Sequence, residues 1–311
     1  MRVSDGADFE ALKRWDVEDV IPDAMYARLY ANPDFPRAVR TLSRNMLEAA
    51  ARDRAFDGIA KDGGRYVATE WALYLDATGG LTLPRLKEIC AASGILSPGR
   101  ARAVLLLLRY LRYVEMVHDQ SRDGPALYRP TTALIDAWRL MTRQRMTASR
   151  ILEPALDRVI ERLDDPKVLE TVFRLQGGGM FHVATTIDQS NRFLNIFLHR
   201  HAGMQLLHTI VMSADPDDEF PPRKPVPITI ATIARRLNVS RTHVKRVLSA
   251  AEQAGLLSGA DTGVLVLTEP MRFALRYVLA TSLMSNIIVA SKVVRARPEL
   301  FRAAPVMVAA G

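Results

Sequence analysis

Arg241, Thr242, His243, Lys245 and Arg246 crowd directly behind Ser240, and all five can donate to phosphate oxygens or to base edges. Val244, Val247, Leu248 and Ala251 recur among them at helical spacing. That spacing predicts a helix whose apolar stripe is buried and whose basic residues point outward. Ser240 is the residue type that caps a helix N-terminus. Cations near that end oppose the helix dipole, so the stability of the helix alone does not account for them, whereas a polyanionic partner does. The chemistry is recognition rather than catalysis. Arg241, Thr242 and His243 are expected closest to base edges, with Lys245 and Arg246 on phosphates. A merely solvated face, or one that docks a protein, is the plainer alternative.

The flanking residues show what would position that helix. Thr229 is suited to cap a preceding helix, and Ile230, Ile233, Ala234 and Leu237 give it one buried face. Asn238 stands where a tight turn needs a residue tolerant of the left-handed region, and Val239 would plug that turn into the core. Gly255 ends the second helix. Two apolar runs, 256–257 and 264–267, flank Ser-Gly-Ala-Asp-Thr-Gly and predict a hairpin. Helix, turn, helix and hairpin in that order make a winged helix-turn-helix. Such modules commonly set their second helix in the major groove of DNA, and also serve in dimerisation and protein docking.

The same order occurs in the first half. Thr82 and Pro84 open a helix that Leu86, Ile89 and Cys90 continue, and Ser93-Gly94-Ile95-Leu96 is its turn. Ser97 then caps a helix bearing Arg100 and Arg102, and 113–117 and 126–128 flank a tip that carries Arg122. Thr131 matches Thr268, and long helices follow at 134–150 and 271–294. The copies differ. Four leucines at 105–108 predict a first reading helix that is apolar nearly all round and deeply packed. The second hairpin has Asp261 and no base, while Arg122 could reach a minor groove or a phosphate. Tighter DNA contact is expected from the second half.

The pattern Thr-x-x-x-x-Ala-x-x-Leu-x-Val-Ser-x-x-x-Val-x-x-Val-Leu, closed by Ala-Gly-Leu, runs from 229 to 256 and resembles the MarR family of bacterial regulators. Over about residues 35–297 the chain looks like two such protomers fused. The resemblance implies a mainly α fold with small β-wings, packed as a pseudo-twofold dimer through long flanking helices. It implies a single-chain pseudo-dimer or a homodimer, a double-stranded DNA partner and a small-molecule effector, while the departures from the family, the fusion and the unlike copies, predict a non-palindromic site. Trp71, Tyr74, Trp138, Phe193 and Phe197 are candidates for the effector pocket, with plain core packing as the alternative. A plasmid-type replication initiator and a protein-interaction scaffold are the competing functions.

Composition sets broad limits. The 311 residues carry 42 Lys+Arg against 34 Asp+Glu, a formal net charge of +8, which suits a polyanion. One cysteine allows no intramolecular disulfide. Cys90 is expected to be a buried thiol rather than a redox sensor. The N-terminus lacks an apolar signal core, and the apolar stretch 278–290 is too short to span a membrane, so a cytoplasmic protein without a membrane partner is expected. His182, His199, His201 and His208 lack metal-ligand spacing. No metal, cofactor or catalytic set is expected, and no enzyme, since neither Gly-x-Gly-x-x-Gly, Gly-x-Ser-x-Gly nor His-Glu-x-x-His occurs. The expected organisation is an arm (1–33), a first unit (34–164), a second unit (165–297) and a tail (298–311). Helices are expected over 34–54, 67–75, 192–213 and on both sides of Asp164-Asp165-Pro166. Gly177–179 is expected to be a loop, and 215–227 an exposed connector.

Overall fold

The computed structural model describes residues 21–117, 124–186, 188 and 190–301; it is 68% helix, with small antiparallel sheets. Helices α1 (Asp23–Tyr30), α2 (Phe35–Arg52), α3 (Arg54–Ala60) and α4 (Gly63–Ala77) open it. The break between α2 and α3 is chemical: the Asp53 carboxylate accepts from the N–H groups of Ala55 and Phe56 and starts a new helix. Asp62 starts α4 in the same way, accepting from Arg65 N. The first half continues through β1 (Leu81–Thr82), α5 (Leu83–Ala92), α6 (Pro98–Tyr110), β2 (Val114–Val117), β3 (Leu127–Pro130) and α7 (Thr132–Ser149).

Helices α8 (Asp157–Ile160) and α9 (Pro166–Thr186) lead to a π-helical turn at Leu194–Leu198. After it come α10 (Gly203–Ser213), β4 (Val226–Pro227), α11 (Ile230–Arg236), α12 (Arg241–Gln253), β5 (Leu257–Ser258), β6 (Val264–Leu267), α13 (Glu269–Ala296) and α14 (Pro298–Phe301). Strand, helix, helix, hairpin and long helix thus follow one another twice. Both sheets place the last strand in the middle, β1-β3-β2 and β4-β6-β5. Leu81 faces Tyr128 in the first, and Val226 faces Leu265 in the second.

Two hydrophobic clusters hold the fold, and they do not follow the boundary expected at Asp164-Asp165. Helix α2, from the first half, buries Val39 and Leu42 in the second cluster. Helix α9, from the second half, buries Val172 and Phe173 in the first. Each exchanged helix is fastened by a polar contact: the Trp71 indole on α4 donates to the carbonyl of Gly177 on α9 at 3.3 Å, and the His208 ring on α10 meets Ser43 Oγ on α2 at 3.1 Å.

Helix α13 joins the clusters, with Leu275, Leu279 and Leu283 in the second and Val289 and Val293 in the first. It is longer than its apolar stretch suggests. Among the described residues it is the one helix long and apolar enough to cross a membrane by length and composition, and 44% of its apolar window is buried inside the fold. Arg272 does not interrupt it, because its side chain is paired with Glu219 at 2.8 Å and Glu269 at 2.7 Å.

Two expectations are corrected here. Gly177–179 is not a loop but lies inside α9. A Cβ at Gly177 would stand 2.5 Å from Tyr74 Cβ, so glycine there allows α4 and α9 to approach, and the continuous helix follows from packing rather than propensity. The 215–227 connector is not wholly exposed: Pro221 and Pro222 are buried, Phe220 packs edge-on against Phe35 at 5.7 Å, and Asp218 accepts from the N–H groups of Arg223 and Lys224 at 2.8 Å each. The end of the arm is helical and docked: Tyr26 stacks on Tyr277 at 5.1 Å, and its hydroxyl is 2.8 Å from Thr281 Oγ1. Residues 1–20, Arg122 and 302–311 lie outside the described residues.

Candidate nucleic-acid interface

Helix α12 presents its basic face much as its spacing predicts. Ser240 Oγ accepts from His243 N at 3.0 Å, closing the cap. Asn238 takes the left-handed turn at φ 48°, and Gly255 ends the helix at φ 73°. Val244, Val247, Leu248 and Ala251 are buried, which turns Arg241, Thr242, Lys245 and Arg246 to solvent. No ion pair ties Arg241, Lys245 or Arg246 to a carboxylate among the described residues. Thr229 occupies the cap position of α11 without a side-chain cap bond; the entry to α11 is held instead by Ile228 N donating to Gly263 O at 2.8 Å.

His243 departs from the expected outward set. It is half-buried, its Nε2 lies 2.7 Å from the carbonyl of His201, and its ring stands edge-on to the His201 ring at 5.8 Å. As the third residue of α12 it points sideways, where the chain entering α10 claims it. Spacing missed Arg235 and Arg236. Both are exposed on the last turn of α11, and Arg235 lines a shallow groove with Ala231, Asn238, Ser240 and Arg241. Cations at a helix C-terminus suit the dipole, which gave them an ordinary explanation in the sequence.

Helix α6 carries the equivalent cap, Ser97 Oγ accepting from Arg100 N at 3.3 Å. Arg100 sits 3.7 Å from Asp62, while Arg102 is exposed and has no carboxylate partner among the described residues. The helix is not apolar and packed all round. Ala101, Val104, Leu105 and Leu108 already fill the core side, which leaves Leu106 50% exposed and Tyr110 83% exposed. Cys90 on α5 is fully buried, and burial pushes its thiol up to about 12.

The two capped tips meet through the segment entering α10. Ala202 N donates to Lys61 O at 2.6 Å, and Lys61 is itself buried in an ion pair with Asp57. His201 is held below its ordinary range by burial and by the charges of His243 and Lys61. Burial and the nearby Arg100 guanidinium do the same to His199. Both rings therefore favour the neutral form.

No family model, curated protein or solved structure matches this chain. Its function has to be read from its own residues. The five aromatic candidates do not line one pocket. Trp71, Tyr74 and Trp138 are buried in the first cluster, and Phe193 and Phe197 in the second, because rings of that size at helical spacing are what fill the space between helices. Among the described residues, no group of three or more His, Cys, Asp or Glu is placed to hold a metal ion. His208 is a core histidine, lowered to about 4 by burial. Among the described residues, Arg235, Arg236, Arg241, Lys245 and Arg246 on α11 and α12 stand exposed without a carboxylate partner, able to neutralise phosphates and to donate to base edges.

Proposed function

We propose that this chain is a bacterial, cytoplasmic regulator of transcription that binds double-stranded DNA without enzymatic activity. In this proposal its halves are winged helix-turn-helix units packed like the protomers of a MarR-type dimer. The observation that carries the proposal is α12: its apolar stripe is buried, its cap is closed, and Arg241, Lys245 and Arg246 stand exposed without acidic partners among the described residues. Unpaired cations near a helix N-terminus cost stability in the free protein and gain it against phosphate.

Reciprocity supports the pseudo-dimer. Asn286 Nδ2 donates to Ser149 Oγ at 3.1 Å, and these residues stand equally far along α13 and α7, counted from Glu269 and Thr132. Helices related by a twofold axis meet at equivalent positions. The exchange of α2 and α9 between the clusters is reciprocal in the same way. Unlike lobes call for a non-palindromic site. A small effector would act by changing how the lobes meet at the segment entering α10.

The test is anisotropy of a labelled mixed-sequence duplex over a salt series. Wild type is expected to show a steep fall of affinity with salt. The triple substitution Arg241→Ala/Lys245→Ala/Arg246→Ala is expected to reduce that slope by about 2–3 while the melting temperature holds. Salt-independent binding, or an unchanged slope in the variant, refutes the proposal.

A further inference from the structure

We propose that the two lobes read chemically different half-sites, with α6 reading thymines through their 5-methyl groups by way of Ala103 and Leu106. The inference rests on the DNA-binding function proposed above and names what one lobe would recognise.

The caps set the alignment. Ser97 accepts from Arg100 N, and Ser240 accepts from His243 N, so both helices begin in the same frame. In that frame Arg102 takes the place of Lys245, Ala103 that of Arg246, and Leu106 that of Ser249. Pro98 and Gly99, in the places of Arg241 and Thr242, offer no side-chain donor. The outward face of α6 has thus kept a cation at the place of Lys245 and lost the donors that Arg241 and Thr242 supply on α12. Gly99 is not required by packing either, since a Cβ there would meet nothing within 4 Å.

Half of the Leu106 side chain is left open to solvent on this outward face. Its surroundings indicate what covers it. Arg102 and Arg109 on α6 and Arg112 just beyond are exposed, and α6 contains no acidic residue. The cations Arg102 and Arg109, one turn to either side of Leu106, complement a polyanion. In the major groove the apolar feature that a polyanionic duplex offers is the thymine methyl group. Arg102 would hold the backbone while Ala103 and Leu106 cover methyl groups.

The experiment selects a site for the full-length chain from random duplexes, then replaces its thymines by deoxyuridine, which removes only the methyl group. The expected site is non-palindromic. In one half, each methyl covered by α6 should be worth about fourfold in affinity. Leu106→Ala should lose a similar factor and no longer respond to deoxyuridine there, whereas Arg246→Ala should respond as wild type does. An unchanged melting temperature controls for folding. The proposal is overturned if deoxyuridine has no effect in either half, or if Leu106→Ala remains as sensitive as wild type. It is also overturned if sedimentation shows a dimer that Leu106→Ala dissociates without changing DNA affinity, since the face would then dock a second copy. A duplex held through α12 with no methyl effect refutes only the thymine assignment. Failure to select any salt-sensitive duplex refutes the DNA-binding function as well.

Discussion

Replacing Gly177 by alanine tests the packing that joins the two halves. In an exposed helix, Gly→Ala gains about 1 kcal/mol from backbone entropy. At Gly177 the new Cβ would lie 2.5 Å from Tyr74 Cβ, 2.8 Å from its Cγ and 2.9 Å from its Cδ2. A Cβ cannot swing aside by changing rotamer, so α4 and α9 must separate by roughly 1 Å to regain ordinary contact near 3.5 Å. Overpacking of that kind costs about 1–3 kcal/mol. Separation also stretches the Trp71 indole bond to Gly177 O, already 3.3 Å long, at a cost of about 1 kcal/mol. Net destabilisation of about 1–3 kcal/mol is expected, read from urea unfolding followed by tryptophan fluorescence. Gly58→Ala is the control. Gly58 lies in α3, and a Cβ there would meet nothing within 4 Å, so the same change should be neutral or stabilising. Equal or greater stability of Gly177→Ala would refute the close approach of α4 and α9.

Two buried titratable groups give opposite pH signatures. Glu70 is pushed up to about 7 by burial, which the nearby Arg145 only partly offsets. Its contribution to stability is full below its ordinary pKa near 4.5 and is lost as pH rises through about 7. Glu70→Gln should therefore gain on wild type by up to about 3 kcal/mol between pH 5 and 8, and parallel unfolding curves would refute this. His208 is lowered from 6.5 to about 4 by burial, so its contribution is full above pH 6.5 and is lost as pH falls toward 4. His208→Gln should flatten the acid side of the stability profile by an amount of similar order, and an unaltered acid limb would count against the buried neutral ring.

The features legible from sequence are those whose physics spans a few residues. Ser97 and Ser240 cap because each side chain reaches an N–H three residues on. Asn238 and Gly255 turn the chain because their own backbone can adopt positive φ. The buried stripe of α12 follows from helical spacing, and with it the outward direction of Arg241, Lys245 and Arg246. The mainly helical fold and the two hairpins were legible for the same reason.

What escaped depends on residues far apart in the chain. Nothing near Gly177 announces Tyr74, so a glycine run that reads as a loop becomes a helix–helix contact. Nothing near His243 announces the His201 carbonyl that takes its ring out of the outward set. The five aromatics are candidates for a pocket until the clusters are seen to enclose them. The exposure of Leu106 depends on which neighbours already fill the core side of α6. A division at Asp164-Asp165 is sensible for a chain read in order, but α2 and α9 cross it. Hydrophobic burial is non-directional and takes no account of sequence distance. The sequence by itself determined the local elements and their outward chemistry. Only the tertiary structure decided which half each long helix would complete and which side chains would stay free to meet a partner.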